Sequence, residues 1–562
     1  MKVLFVYFTD PPRQFSSSVA ALAAVVRARG HSPAALEVSC KGSVADATTD
    51  IVRAAPDVIA VSAMSRDWPG ASAVLTRVRA SSRAFVVVGG YHATLAPNDV
   101  ASCDAVDAIG IGEGEHALGA LLDTLDAGGT PVTIPGLWAR GQKGWQGPPP
   151  AAWPELDIGK LLPWDYDVFG DVRAILARGI NTFGPHVDRY LPTRASRGCP
   201  FTCSYCSAPA WGKIGGHARP DRVNVRPVEH LVTELAAVRD RYEPEGFEFW
   251  DEHFPLSIEW LRELARIYPE RVGLPFKVEM HPNAASRERL ALLVEAGCVL
   301  FHCGVEAGDE QLRRDVLHRR TRDADLQRVF DDCRSLGLAT SASLMTMLPG
   351  ETRAQMVSTT TLLRRLRPGS FMWSTYQPLP GTPLGDAAVS AWPTPATDRL
   401  DDHAPYETRT PPAVTSSERE ETYRELATLQ ASLVAAAGEG RAERGRPVDV
   451  PTPRGAPPAG LLERLGLGGP SASLDLVTRI NAAVLQRGVL TLEIEAARAA
   501  PCTVTIGPND GSRFYRTTTR LGLSYRGREA PAVVLRAIDA MAARIADLGM
   551  EDLRRFFEEP TA

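Results

Sequence analysis

The sequence predicts an α/β protein: a doubly wound, Rossmann-like domain, then a partial (β/α)6 TIM-like barrel, then a small α+β unit. Three observations carry this. Short apolar runs alternate with helical stretches of 10–15 residues over 1–140, the alternation resumes at Tyr190, and Pro/Gly-rich stretches separate the blocks. A length of 562 residues accommodates three to five domains at roughly 100–200 residues each. The expected organisation is a first domain at 1–140, a linker at 141–189, the barrel at 190–390, a helical segment with a mobile linker at 391–460, and a C-terminal domain at 461–562.

In the first block, VLFVYF (3–8) reads as a buried strand and residues 16–30 as a helix closed by Gly30. Strand 57–64, a helix over 71–80, strand 84–90, strand 107–115 and a helix over 116–129 follow. Each strand ends in a turn rich in Gly, Ser, Asp or Pro: Asp10–Pro12, Ser62–Ser65, Gly89–Gly90 and Gly110–Gly114. In open α/β sheets, ligands sit beyond those carboxyl ends.

After a connector with three consecutive prolines, YLPTRAS opens the second series. Its strands are read at 190–196, 247–252, 276–280, 299–308, 342–350 and 371–381, with helices at 228–241, 258–268, 286–296, up to 336, and 353–366. Six strands are too few for a closed eight-stranded barrel, so a partial one is expected. Beyond the Arg/Gly/Pro-rich stretch Gly438–Gly460, the pattern suggests a helix at 474–486, strands at 490–496, 503–507 and 513–525, and an Ala-rich helix at 532–548.

Composition narrows the function. With 62 Lys and Arg against 67 Asp and Glu, the net charge is −5, which disfavours a nucleic-acid binder. The apolar run after Met1 is too short for a secretory h-region, and no stretch reaches the ~18 apolar residues of a membrane span. Nine cysteines in a chain this long are no secreted disulfide framework, so the cytoplasm is expected, where clustered cysteines mean metal or redox chemistry. Three of the nine, Cys199, Cys203 and Cys206, lie within eight residues.

That segment, RGCPFTCSYC, places three thiols on a Gly/Pro loop just after a strand. Four cysteines usually hold a [4Fe–4S] cluster, whereas three leave one iron open to a further ligand. Structural zinc prefers a closed set of four. The competing readings are zinc or an inert buried trio. The remaining cysteines fall mostly at apolar periodic positions and read as core.

Cys-x3-Cys-x2-Cys at the first strand of a six-unit partial barrel resembles the radical S-adenosylmethionine (SAM) superfamily over about 190–385. The resemblance implies that Cys199, Cys203 and Cys206 hold a [4Fe–4S] cluster whose open iron chelates SAM. It places Tyr205 at the adenine-contacting position, and Glu306 in GVEAG at the fourth-strand "ESG"-type position. Asp251, Glu252 and Glu279 end earlier strands and would face the same mouth. Each carboxylate reads equally well as a loop or salt-bridge residue.

A doubly wound domain ahead of such a barrel is similar to the cobalamin-binding, class B members of that superfamily. The local matches are Pro11–Pro12, GGYHAT (89–94), GEGE (112–115) and the linker ending LLPWDYDVF. Asp-x-His-x-x-Gly, whose His ligates cobalt in many cobalamin proteins, does not occur in residues 1–140. The resemblance therefore implies base-off, His-off cobalamin, carried as methylcobalamin. Its contacts would come from Pro11, Ser62, Arg66, Gly89, Gly90, His92, Thr94, Gly112 and Glu113, with Trp68 near the lower face. The competing readings are a degenerate domain and a different nucleotide.

The implied activity is methyl transfer from SAM to an unactivated carbon or phosphorus of a specialised-metabolite precursor, small molecule or peptide. An external one-electron reductant of the flavodoxin or ferredoxin type is needed, and neither nucleic acid nor membrane is involved. The alternatives are ring rearrangement or cyclisation without methylation, and a non-catalytic cobalamin or Fe–S sensor. In the C-terminal unit, Arg513, Arg516 and Arg520 around Phe514 and Tyr515 read as a solvated basic hairpin ahead of an anion site.

Overall fold

The computed structural model describes residues 1–9, 15–39, 42–148, 156–178, 189–214 and 223–389, scattered helical residues between 417 and 433, and the backbones of strands between 477 and 526. Pro11 and Pro12, the stretch 438–460, Arg513, Phe514, Tyr515 and Arg520, and the helix expected at 532–548 lie outside the described residues. The chain divides into two compact units, one of residues 1–182, 186–366 and 372–416, the other of 183–185, 367–371 and 417–562.

The first unit opens with β1 (Lys2–Thr9), α1 (Ser17–Ala28), β2 (Ser32–Ser39), α2 (Val44–Ala54), β3 (Val58–Ser62) and α3 (Trp68–Ser81). Next come β4 (Phe85–Gly89), α4 (Tyr91–Leu95), α5 (Pro97–Ala101), β5 (Ala108–Gly110), α6 (Gly114–Asp126), β6 (Leu137–Gly141) and β7 (Gly144–Gln146). The sheet order is β2-β1-β3-β4-β5-β6-β7, parallel through β5 and antiparallel after it. The order 2-1-3-4-5 puts the topological switch between β1 and β3, where a ligand crevice opens.

Both faces are covered, which is why these strands read as unbroken apolar runs. Leu4, Val6, Ile59 and Val61 pack under Trp68, Val74 and Leu75 of α3, while Val3, Phe5 and Val58 pack under Val19 and Val26 of α1 and Leu121 of α6. Ser16 caps α1 by accepting from the Val19 amide, and Gly30 follows it at φ +77°.

β2 and α2 escape the sequence pattern, as do the short α4, α5, β6 and β7. β2 is an edge strand, half-exposed along most of its length, with Pro33 near its start. α2 buries only Val44, Ala47 and Ile51, a stripe too narrow to stand out. The sheet also runs past residue 140, through β7.

α7 (Val172–Arg178) leads to β8 (Tyr190–Thr193), β9 (Ser196–Arg197), α8 (Ser207–Ile214), β10 (Asn224–Val225), α9 (Val228–Tyr242), β11 (Gly246–Phe249) and α10 (Ile258–Arg271). The series continues with β12 (Phe276–Glu279), α11 (Arg287–Ala296), β13 (Cys298–Glu306), α12 (Glu310–Asp315), α13 (Asp323–Ser335) and β14 (Ala339–Thr346). It closes with α14 (Arg353–Leu366), β15 (Ser370–Thr375) and α15 (Pro383–Val389). The six-stranded sheet has the order β15-β14-β13-β12-β11-β8, an open half-barrel whose strands β8 to β14 run parallel.

Its outer face is aromatic: Phe249 and Phe276 meet edge-on at 5.5 Å, and Tyr268 of α10 lies 5.0 Å from Phe276. Strand alternation turns Glu248, Lys277 and His302 to the inner face, all buried. No helix among the described residues is long and apolar enough to cross a membrane.

The second unit contains a five-stranded antiparallel sheet in the order β16-β17-β18-β20-β19. Its strands are β16 (Val477–Gln486), β17 (Val489–Ala496), β18 (Cys502–Pro508), β19 (Arg516–Thr517) and β20 (Leu521–Arg526). The helix expected at 474–486 is thus a strand. Only Arg487 and Gly488 separate β16 from β17, and such a two-residue connection containing glycine is a hairpin signal that outweighs the helical spacing of Val477, Ile480 and Val484.

Candidate functional site

The three cysteines sit on the loop from β9 to α8, at the carboxyl end of the half-barrel. β9 pairs with β10, and Gly198 takes φ +94°, a left-handed turn that a side chain would strain. Cys203 is buried, Cys199 and Cys206 half-buried, and all three are free. The Ser204 amide donates to the Leu317 carbonyl at 3.0 Å and its hydroxyl to Val316 at 2.6 Å, tying the loop to the segment after α12. Phe201 stacks on His281 with centroids 3.7 Å apart.

Arg319 is buried beneath the loop. It donates to Cys203 Sγ at 3.6 Å and to the Gly304 carbonyl at 2.6 Å. A cavity of about 540 Å³ opens beside it, lined among others by Phe201, Cys203, His281, His318, Arg319 and Arg320. Burial pushes the Cys199 thiol up to about 11 and Cys206 up to about 12, so both are thiols until a soft metal takes the proton's place. Among the described residues, no three ligating side chains converge on one point. A four-iron cluster does not require that, since each thiolate takes its own iron. Of the other cysteines, Cys103, Cys298, Cys303 and Cys333 are buried, as their apolar positions predict.

The four carboxylates divide sharply. Asp251 accepts from the backbone amides of Ala195 and Ser196 and from the Ser196 hydroxyl, clamping the turn before β9. Burial holds its carboxyl up at about 7. Glu252 accepts from Arg194 at 2.9 Å, Tyr91 at 3.0 Å and the Gly198 amide at 3.3 Å. Glu279 lies 3.4 Å from Lys277, which also pairs with fully buried Glu248.

Glu306 takes φ +69° at a register shift in β13, and its carboxylate folds over Gly304, where a Cβ would come within 1.9 Å of it. Tyr205 hydrogen-bonds it, and burial raises its carboxyl against the opposing pull of Arg319. The structure thus brings Tyr205, Glu306 and Cys203 together around Arg319.

In the first sheet, Ser62, Gly89–Gly90 and Gly110–Gly112 end β3, β4 and β5 on one side. Gly90 has φ +91°, with Ser62 Oγ and the Ala63 backbone only 3.2–3.3 Å from a Cβ placed there. Thr94 donates to the Gly90 carbonyl and accepts from the Gly112 amide, both at 3.0 Å, joining two of these turns. Arg66 pairs with Asp67 at 3.3 Å. His92 is buried, engaged by Ser65 at 3.2 Å and Asp99 at 3.1 Å, and stacked on Trp68. Glu113 reaches across to Arg197, two residues before Cys199.

The radical SAM superfamily profile matches residues 193–363, and the B12 binding domain profile matches residues 15–122. The chain carries a radical SAM domain and, ahead of it, a B12-binding domain. It is 25% identical over 340 residues to an uncharacterized methyltransferase of Pyrococcus horikoshii, covering 60% of this chain and 70% of that protein. It is 27% identical over 340 residues to the anaerobic magnesium-protoporphyrin IX monomethyl ester cyclase of Cereibacter sphaeroides, covering 58% of this chain and about half, 52%, of the cyclase. The fold resembles that of the radical SAM methyltransferase TsrM from Kitasatospora setae with cobalamin and [4Fe–4S] cluster bound, at TM-score 0.56 and 18% identity, covering 78% of this chain and 95% of that one.

The residues present fit the cofactors of these two domains. Three free thiols on one loop, with a guanidinium beside the buried one and a cavity alongside, match an iron–sulfur cluster that keeps one corner for SAM. The left-handed glycines Gly90 and Gly112 at the strand ends of a doubly wound sheet are backbone that a flat corrin could approach closely. Sequence spacing gave no signal for Arg319, Arg197, Tyr91 or His281, because each meets its partner only through the tertiary fold.

Proposed function

We propose that this protein transfers a methyl group from SAM, by way of cobalamin, to an unactivated carbon or phosphorus of a small-molecule or peptide precursor in specialised metabolism, in the cytoplasm. The observation that carries the reading is a three-cysteine loop and a cobalamin-type sheet built against each other in one compact unit. When bound, cobalamin carries the methyl group and the cluster supplies the electron, drawn from an external reductant, that SAM cleavage needs.

Cys199, Cys203 and Cys206 hold the cluster, and Arg319 sets the charge around it. Glu306 and Tyr205 orient SAM, with Glu279 at the same mouth. Asp251 and Glu252 hold the loop in shape. Ser62, Arg66, Gly89, Gly90 and Gly112 line the corrin side. His92 is committed to Ser65 and Asp99, which favours His-off cobalamin.

The test is anaerobic turnover with SAM carrying a labelled methyl group. Label in the product, together with S-adenosylhomocysteine, is expected. Label absent from a transformed product would favour rearrangement or cyclisation, the reading for which the cyclase relative speaks. Replacing Cys199, Cys203 and Cys206 with Ala should abolish iron–sulfur absorption. The spin-resonance spectrum of bound cob(II)alamin should lack nitrogen splitting from a protein histidine.

A further inference from the structure

The GEGE turn carries two carboxylates, Glu113, expected on the cobalamin side, and Glu115, which no cofactor claims. Glu113 Oε2 and Glu115 Oε1 each accept from one arm of the Arg197 guanidinium at 2.5 Å. The Arg197 and Glu115 side chains are 13% and 10% exposed, so the pair works at low dielectric, where charge pairing is strong and geometry exacting. Arg197 is the residue of β9 from which the cysteine loop departs.

A second contact runs in parallel. Tyr91, next to Gly90, donates to Glu252, which also accepts from Arg194 and from the Gly198 amide. The Tyr91 ring packs 5.0 Å from Trp211 of α8, the helix into which the loop runs. Two glycine turns that end strands of the first sheet therefore grip the cysteine loop at both ends. A planar, two-armed guanidinium between two carboxylates fixes orientation as well as distance.

We propose that Arg197 is a positioning residue whose grip on Glu113 and Glu115 couples occupancy of the two cofactor sites. Cobalamin seated over Gly110–Gly112 stiffens the turn carrying both glutamates, and the stiffened turn holds the cysteine loop ready for its cluster. A loaded loop in turn tightens cobalamin, because such coupling is reciprocal for binding equilibria. This inference rests on the two-cofactor reading alone and is independent of the group transferred.

The test titrates full-length protein with hydroxocobalamin by absorbance, with and without a reconstituted cluster. In the wild type, the cluster should tighten cobalamin by roughly fivefold or more. In Glu113→Gln/Glu115→Gln, which keeps shape but removes charge, the ratio should fall to about one. Arg197→Lys, keeping charge without the fork, should lie between. A wild-type ratio of one, or a double variant with the wild-type ratio, overturns the proposal. Should the double variant fail to load either cofactor, Glu115→Gln alone serves, and an unreduced ratio there overturns it equally. Methyl transfer enters neither measurement, so failure of the proposed activity and failure of the coupling are separately visible.

Discussion

Replacing Arg319 with Met should make the cluster harder to reduce. The guanidinium lies 3.6 Å from Cys203 Sγ, in a site where the side chain is buried. At an effective dielectric of about 20, a unit charge at that distance is worth about 4–5 kcal/mol to a full negative charge on the sulfur. The electron that reduces the cluster is spread over four irons and their sulfurs, so a quarter to a half of that, about 1–2 kcal/mol, reaches it. At about 59 mV per tenfold for a one-electron couple, the shift is about 50–100 mV in the negative direction. Arg319→Lys, which keeps the charge, should shift it less. The assay is a potentiometric titration of the anaerobically reconstituted protein, read by the spin-resonance signal of the reduced cluster, with iron content measured alongside. A potential that stays put or moves positive at full iron content refutes the electrostatic role.

Three further outcomes follow from burial. Lys277→Met leaves Glu248 uncompensated at a site where both side chains are fully buried, which should cost about 3–5 kcal/mol; a Lys277→Met/Glu248→Met double variant should recover most of the lost thermal stability in a melting experiment. Glu351 is buried, accepts from the Leu348 amide at 3.1 Å, and is held up at about 7 by burial. A raised carboxyl favours the fold at low pH and loses that advantage as pH climbs from the ordinary carboxylate value to about 7, so denaturation of Glu351→Gln should lack up to about 3 kcal/mol of the decline that the wild type shows across that window. A methyl at Gly308 would lie 2.2 Å from the Thr359 backbone, so Gly308→Ala should destabilise by about 3 kcal/mol or more in the same assay.

Most parallel strands of the two sheets were legible because strands covered on both faces leave unbroken apolar runs, as in Val3 to Phe8 and Phe85 to Val88. The half-exposed edge β2 leaves no such run, and β16 carries a spacing that suits helix and strand alike. The cysteine loop was legible because its three cysteines are local. Its supports were not. Arg319 stands 116 residues from Cys203, and Glu113 is 84 residues from Arg197. Such pairs are made by topology, and chain spacing holds no trace of them.

The carboxylates show why residue type at a strand end underdetermines chemistry. A carboxylate offers about four lone-pair sites. Asp251 takes the amide and hydroxyl of Ser196 on Oδ1 and the Ala195 amide across both oxygens, leaving little for a ligand. Glu252 is likewise occupied by a guanidinium, a phenol and an amide. Withdrawing either would strand buried donors, at about 1–3 kcal/mol for each group left unpaired. Glu279 keeps about a third of its side chain exposed, with its Lys277 contact stretched to 3.4 Å. Glu306 is held in a left-handed backbone conformation, a strain that proteins tolerate where a site needs a side chain aimed against its preference. Glu306, which accepts from Tyr205, and Glu279 are the two of the four with most capacity left, and they would be the ones to meet the amine and hydroxyls of SAM. Asp251 and Glu252 then act one step back, on the shape of the loop. The discriminating measurement is SAM affinity: Glu306→Gln should weaken binding about tenfold or more at unchanged iron content, whereas Asp251→Asn should lower iron content first.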